Sequence, residues 1–356
     1  MHLEHGKLPL DYSLYSRRKT AINIAGFLIL CTLVLVSISV GAVPVPLRDV
    51  FKTLFTGGGS RQLQIIILSI RLPQALTAVV AGAGLAISGT AMQSVLRNPL
   101  GSPYTLGVSN AAGFGAAFAV MILNTGAMHS SGNDAVSVTN PYLTTAAAFT
   151  ACLLATGMIL FISGIRRTSP EVMILAGVAM GSLFTAGTMF LQYFADDVQL
   201  AAMVFWTFGD LGRASCNELL IISSVTVVSV LYFLANRWNY NAIDAGDETA
   251  RGLGVPLGRI RLTGMLVASL VTATIISFVG VIGFVGLVCP HFARLLVGDD
   301  HRFLLPGSMI AGAILLLAAD TVARLLLAPH VLPVAIITAF VGAPLFAVIL
   351  VRGYRN

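Results

Sequence analysis

Asp320 and Arg324 carry opposite charges four residues apart within one apolar run. That spacing puts both on one face of a helix, close enough to pair. In a run that crosses a membrane, such a couple is either part of an ion or proton relay or a structural pair near one end of the span. A relay needs further ionisable groups inside the membrane, and the apolar runs offer no paired carboxylates, so the structural pair is the better reading. Other chemistry fares worse. No GxxxxGK[ST] loop cradles phosphates, so the chain cannot itself be an ATPase, and neither HExxH nor GxSxG occurs. His291, just after a break expected at Pro290, reads as a packed histidine. His301, ten residues on, belongs near the aqueous surface, and the two make no metal site. Cys31, Cys152, Cys216 and Cys289 lie far apart with no CxxC, which excludes a disulfide framework. The expectation is a chain without catalytic residues, metal or cofactor of its own.

Two further groups of residues invite a role. Met173, Met180, Met189 and Met203 either line a path for a bulky, partly apolar cargo or fill gaps between helices. The stretch Asn236 to Arg261, NRWNYNAIDAGDETARGLGVPLGRIR, is the longest polar segment flanked by apolar runs. Its Asp247-Glu248 pair suits a helix start, and Gly254 and Pro256 suit a stop. A short helix at the membrane surface can dock a soluble partner; a plain solvated loop is the competing reading.

The elements that position these residues follow from composition. Of 356 residues 56% are hydrophobic and only 10% charged, against about 25% charged in soluble domains. Mean hydropathy is +0.89. A hydrocarbon core of about 30 Å needs roughly 20 apolar residues per helix, and such runs recur along the chain. An all-α polytopic membrane protein of about ten spans is expected, as one transmembrane domain over residues 1–356. The spans are Ala21–Ala42, Leu63–Met92, Gly107–Leu123, Leu143–Ile165, Glu171–Tyr193, Leu219–Ala235, Leu262–Phe278, an eighth ending at Val297, Phe303–Leu327 and Leu332–Val351. The first run is longer than the 7–15 residues of a signal peptide, so it is read as a retained span. Between the spans, 43–62 reads as a short amphipathic segment and a flexible loop, Asn124–Asn140 as a polar loop, and Ala195–Ser215 as an interfacial loop anchored by Trp206. Arg71, near the outer end of the second span, reads as a snorkelling or surface residue.

Fifteen of the 21 Lys and Arg fall on one side if the N-terminus is inside, which favours N-in and C-in with 1–20 and 236–261 cytoplasmic. The net charge of +6 is scattered between apolar runs rather than gathered, which argues against nucleic acid. NPLGSPYTLGVSNAAGFGA loosely echoes DDHRFLLPGSMIAGA, so spans 2–5 and 7–10 have the look of an inverted repeat.

RLPQALTAVVAGAGLAISGTAMQSVLRNPLGSPYTLGVSNAAGFGA, ILAGVAMG, ETARGLGVPLGRIR, FVGVIGFVGLVCPHFARLLVGDDHRFLLPGSMIAGA, ADTVARLLL and GAPLF resemble the permease family of type II ABC importers for iron–siderophores, haem and vitamin B12. The resemblance runs from Val45 to Arg352, in order and at family spacing. It implies a homodimer around a central path, an extracytoplasmic substrate-binding protein, a metal-chelate cargo, and two cytoplasmic ATPase subunits that bind ATP and Mg. An oxyanion such as molybdate is a rarer cargo; a secondary transporter or channel needing no ATPase is the competing class. The resemblance also assigns residues. The ATPase-coupling motif falls on Asp247, Glu248, Ala250, Arg251, Gly252, Leu253, Gly254 and Pro256. Binding-protein docking in the vitamin B12 member falls on Arg71 and Arg324, with a second arginine of that member falling on Gln74. Its cytoplasmic Thr-Ser gate falls on Pro170 and Glu171, with Thr168-Ser169 two residues earlier. Met173 and Met180 are the path candidates. HVLPVA stands where the family has xELPxG, with Val331 for the acid and Ala335 for the glycine.

Overall fold

A computed structural model describes residues 10–41, 43–129, 135–138, 140–165, 169–328 and 330–353. Helix α1 (Leu10–Ser39) leads to the short α2 (Leu47–Thr56), which turns Val50 and Thr53 inward and leaves Phe51 and Phe55 exposed. One continuous helix then runs from Arg61 to Val95: α3 (Arg61–Gln64), a π-helical turn (Ile65–Arg71) and α4 (Leu72–Val95). The wide turn sits immediately before Pro73, whose ring and missing N–H disturb regular i→i−4 bonding. There follow α5 (Val108–Ile122), α6 (Pro141–Ile165), α7 (Pro170–Phe194), α8 (Asp197–Thr207) and α9 (Cys216–Ala235). The chain ends with α10 (Arg237–Asp244), α11 (Asp247–Gly252), α12 (Leu257–Val279), α13 (Val285–Val297), α14 (His301–Leu326) and α15 (Val334–Gly353).

Seven helices among the described residues are long and apolar enough to cross a membrane; α5, α13 and the Val334–Val348 part of α15 are apolar but shorter. Every segment expected to span therefore holds an apolar helix. At 1.5 Å per residue, the 13-residue α13 is well short of a hydrocarbon core of about 30 Å.

Helix α4 is the centre, packed by α14, α12, α13 and α9. Its small residues explain why. A Cβ on Gly82 would stand 2.3 Å from the Gly312 carbonyl oxygen, and one on Gly89 only 1.8 Å from that of Gly286. Backbones meet there directly, the route to tight packing in lipid, where water drives no association between apolar helices. Large apolar side chains instead face outward, as Phe27 on α1 and Phe161 on α6 do, because lipid is their solvent.

Five expectations need correction. Residues 195–215 are not a loop: Asp196 and Gln199 close a capping box that starts α8, and Trp206 is buried against α5 and α12 residues rather than anchoring an interface. The polar loop before α6 holds a small antiparallel pair, β1 (Gly126–His129) and β2 (Ala135–Val138), an exception to the all-α pattern. Within 236–261 the short helix expected from Asp247 is present as α11, but a second helix, α10, precedes it and α12 begins at Leu257 rather than Leu262, so Arg259 and Arg261 sit on a helix. Helix α13 runs straight through Pro290; the break lies at Gly280–Phe284, where Gly280 takes φ +81° and Phe284 φ +66°. Burial of His301 is complete. The Gly298 turn folds it back under α10.

Candidate functional site

Helices α10 and α11 form a two-turn knob at the end of the bundle that carries Arg97 and Asp299. Tyr240, Ile243 and Ala250 are its inward side chains, packed with Leu257, Ile260 and the end of α4. Outward lie Glu248, Arg251, Gly252, Leu253, Gly254 and Pro256, all exposed. Gly254 holds φ +78° with open space around its α-carbon, which lets the chain turn from α11 into α12. Asp247 accepts from Arg261 at 2.7 Å and from Arg97 at 3.4 Å. The Arg261 side chain is 5% exposed, so this carboxylate is its counter-charge in a largely dry setting. One acidic residue thus ties the knob to the ends of both α4 and α12. Of the eight residues assigned to the coupling motif, Asp247 and Ala250 hold the knob in place and six present its surface.

Behind the knob, Asp244 accepts from Ser94 at 3.2 Å, and its Oδ2 lies 3.7 Å from His301 Nδ1. Burial pushes its carboxyl up to about 6, against an opposing pull from the Ser94 hydroxyl and from Arg294 and Arg97, while Asp299 adds to the rise. A raised carboxyl favours the folded state fully below the ordinary 3.8 and loses that advantage as pH rises through about 6. Asp244→Asn is therefore expected to melt at a higher temperature than the wild type at pH 7.5, with the gap closing as the pH is lowered through 6 toward 4. Thermal unfolding in detergent across that range checks it; a gap that does not change with pH would remove the titration account.

Ser169 starts α7 and donates its hydroxyl to the Glu171 carboxylate. With Pro170 they wall a cavity of about 410 Å³ whose other side is Leu96, Arg97, Asp247, Arg251 and Arg261. Expected gate and coupling residues, distant in sequence, share this cavity. Thr168 lies outside the described residues.

The methionines divide. Met173 and Met203 are fully packed core residues, and Met180 is half-buried against the same core as Met173, so neither Met173 nor Met203 can line an open path. Only Met189 faces open space, in a groove between α5 and α7 of about 410 Å³. There Asn110 Nδ2 donates to Thr185 Oγ1 at 2.7 Å and to the Gly181 carbonyl at 3.3 Å. Asn110, Thr185 and Ser182 give this groove polar groups that the methionines do not, a feature that hydropathy averaging hides.

At the other end of the bundle, Arg71 is not a surface residue. It is 7% exposed, and its guanidinium donates to the carbonyls of Ile38 (2.8 Å), Ser39 (3.2 Å) and Val43 (2.5 Å). These include carbonyls that the last turn of α1 leaves without helical partners. Arg324 Nε lies 3.0 Å from Asp320 Oδ2, and its Nη2 donates to Ser37 Oγ at 2.7 Å. Gln74 Nε2 completes the set on Asp320 at 2.9 Å. The pair forms as its spacing suggested, and with Ser37 and Gln74 it staples α1 to α4 and α14. The sequence could not reveal Ser37 as its third member.

Among the described residues no group of three or more His, Cys, Asp or Glu could hold a metal ion. His291 stacks on Phe346, with ring centres 5.9 Å apart.

Residues 28–352 match the model of the FecCD transport family. The chain is 49% identical over 352 residues to MJ0087 of Methanocaldococcus jannaschii, named as an ABC transporter permease protein, covering 98% of this chain and 99% of that one. It is 36% identical over 329 residues to the hemin transport system permease protein HmuU of Yersinia pestis, covering 92% and 95%. A solved structure described as an inward-facing conformation of a metal-chelate type ABC transporter superposes with TM-score 0.80 at 30% identity, covering 94% of this chain and 99% of that one.

Proposed function

The chain belongs to the FecCD transport family, and we propose that it is the membrane subunit of an ATP-driven importer that takes a metal chelate from an extracytoplasmic binding protein. The observation that carries this reading is the braced knob of α10 and α11. It exposes Glu248, Arg251, Leu253 and Gly254 while Asp247 fixes its base to α4 and α12. A surface held rigidly against two spans is what an ATPase needs if its closure is to move them. ATP and Mg belong to that partner, and this chain contributes no catalytic group. Two copies of the chain pair around the path, with both termini and the knob cytoplasmic, in keeping with the excess of Lys and Arg on that side.

Ferric siderophore or haem is the proposed cargo, with cobalamin next; the named relative HmuU is a hemin permease. Ser169, Pro170 and Glu171, with Thr168 before them, form the cytoplasmic gate, which shares its cavity with the knob. The binding protein meets the outer end of α14 at Arg324. Arg71, engaged by α1 carbonyls, serves the chain itself.

The test is reconstitution in liposomes with the partner ATPase and binding protein, following uptake of haemin, a ferric siderophore and cobalamin. Uptake of one of them that requires ATP supports the reading; uptake that persists without any ATPase makes the chain a secondary transporter. Gly254→Arg is expected to abolish ATP-driven uptake, because the new side chain projects from the knob's exposed tip. The fold should persist, since an added Cβ meets nothing within 4 Å and the φ of +78° costs on the order of 1 kcal/mol. Normal uptake by this variant would remove the knob from the mechanism.

A further inference from the structure

His301 stands at the most charged turn of the chain yet is fully buried, and its ring joins three elements. Nε2 lies 3.0 Å from Ser94 Oγ on α4. Nδ1 lies 3.0 Å from Asn241 Oδ1 on α10, and the His301 main-chain N–H donates to that same oxygen at 2.9 Å. Asn241 Nδ2 in turn donates to Asp300 Oδ1 at 3.2 Å, so one amide reads both ends of the α14 N-cap. The ring also stacks on Tyr240, with centres 5.7 Å apart and planes 26° from parallel. A proton on Nδ1 serves Asn241 Oδ1 and leaves Nε2 as an acceptor for the single Ser94 hydroxyl proton, for which Asp244 Oδ2 at 3.2 Å competes.

Beyond these hydrogen bonds, α10 meets α4, α12 and α14 through side-chain faces: Tyr240 and Ile243 pack with the end of α4 and with α12, and the Arg302 guanidinium lies 5.0 Å from the Trp238 ring centre. Apolar side chains resist separation but tolerate sliding, whereas a satisfied buried hydrogen-bond network fixes register. Asp244, Asp300 and the Arg294–Asp299 pair at 2.8 Å surround the network, and His301 is its one member that touches both α4 and α10 from α14.

We propose that His301 is a positioning residue that locks α10 to α4 and α14, so that displacement of the knob is passed to both spans rather than lost as slip. The proposal rests on the reading that an ATPase docks on the knob. The path it defines continues into the Gly82–Gly312 contact, where α4 and α14 touch backbone to backbone.

The experiment uses the full complex of this chain with its ATPase in lipid nanodiscs, with hydrogen–deuterium exchange measured with and without ATP. In the wild type, ATP is expected to change exchange in residues 237–253 and in residues 301–308 together. In His301→Leu the first change persists, while the second falls by about fivefold, the factor one lost hydrogen bond carries. His301→Gln, which keeps an amide near the Nε2 position and so the Ser94 contact, should restore part of it. A merely structural role would lower melting temperature without separating the two responses. Equal responses at both segments in His301→Leu would overturn the proposal. So would loss of ATPase binding in both variants while the wild type binds, since His301 would then only support the fold. Failure of the wild type to bind the ATPase would instead remove the docking reading, and the proposal with it.

Discussion

Gly89→Val is expected to prevent accumulation of the folded chain in the membrane. The α4 and α13 backbones meet at this residue, and even a Cβ would lie 1.8 Å from the Gly286 carbonyl oxygen. Neither group can rotate away, because both are backbone. The helices must separate, and the neighbouring contact of Gly82 with Gly312 opens with them. Overpacking of a close-packed site costs about 1–3 kcal/mol when side chains can adjust; here they cannot, and the loss approaches the whole of a marginal stability of roughly 5–15 kcal/mol. Gly157→Val is the control. Gly157 lies on α6 with nothing within 4 Å of its Cβ position, and the variant should behave as wild type. Size-exclusion profiles and melting temperatures in detergent read both. A monodisperse, wild-type-stable Gly89→Val would show that α4 and α13 do not meet as described.

Arg324→Leu is expected to destabilise the protein by about 3–5 kcal/mol, the range seen when one partner of a buried ion pair is removed. Asp320 is 5% exposed on its side chain and keeps only Gln74 as a hydrogen-bond donor once Arg324 is gone. The end of α1 also loses the contact to Ser37. Replacing both residues, Asp320→Leu with Arg324→Leu, should recover much of the loss, because no unpaired charge then remains in an apolar setting. Chemical or thermal unfolding of the two variants beside the wild type checks this. A double variant no better than Arg324→Leu would mean that the α1 staple, rather than the stranded carboxylate, sets the cost. The same guanidinium is the proposed contact for the binding protein. Uptake measured on the double variant therefore separates docking from stability.

The sequence read well wherever one solvent decides. Lipid accepts only apolar, internally bonded helices, so hydropathy alone located every apolar segment, from α1 to α15. It read poorly wherever the solvent is other protein. Trp206 has the composition of an interfacial anchor, yet α5 and α12 bury it. Met173 and Met189 are the same residue type on one helix; the first is core and the second faces a groove, and only the packing of α7 against its neighbours separates them. His301 looked like a surface histidine because its neighbours Asp299, Asp300 and Arg302 are charged. The turn at Gly298 and the fold of α10 over it place its ring inside.

What the residues determined by themselves was the class of molecule, the positions of its apolar helices, the family and the stretch that forms the knob. Each depends on short-range properties: hydropathy over a window, capping, and motifs of contiguous residues. What only the tertiary structure decided was partnership. Arg71 spends its charge on carbonyls more than thirty positions earlier in two of three cases. Asp247 pairs with arginines 150 and 14 positions away. Ser94, Asn241 and His301 meet across as many as 207 positions. No local pattern encodes such contacts, because a polar group that cannot reach water takes whichever partner the packed helices bring to it.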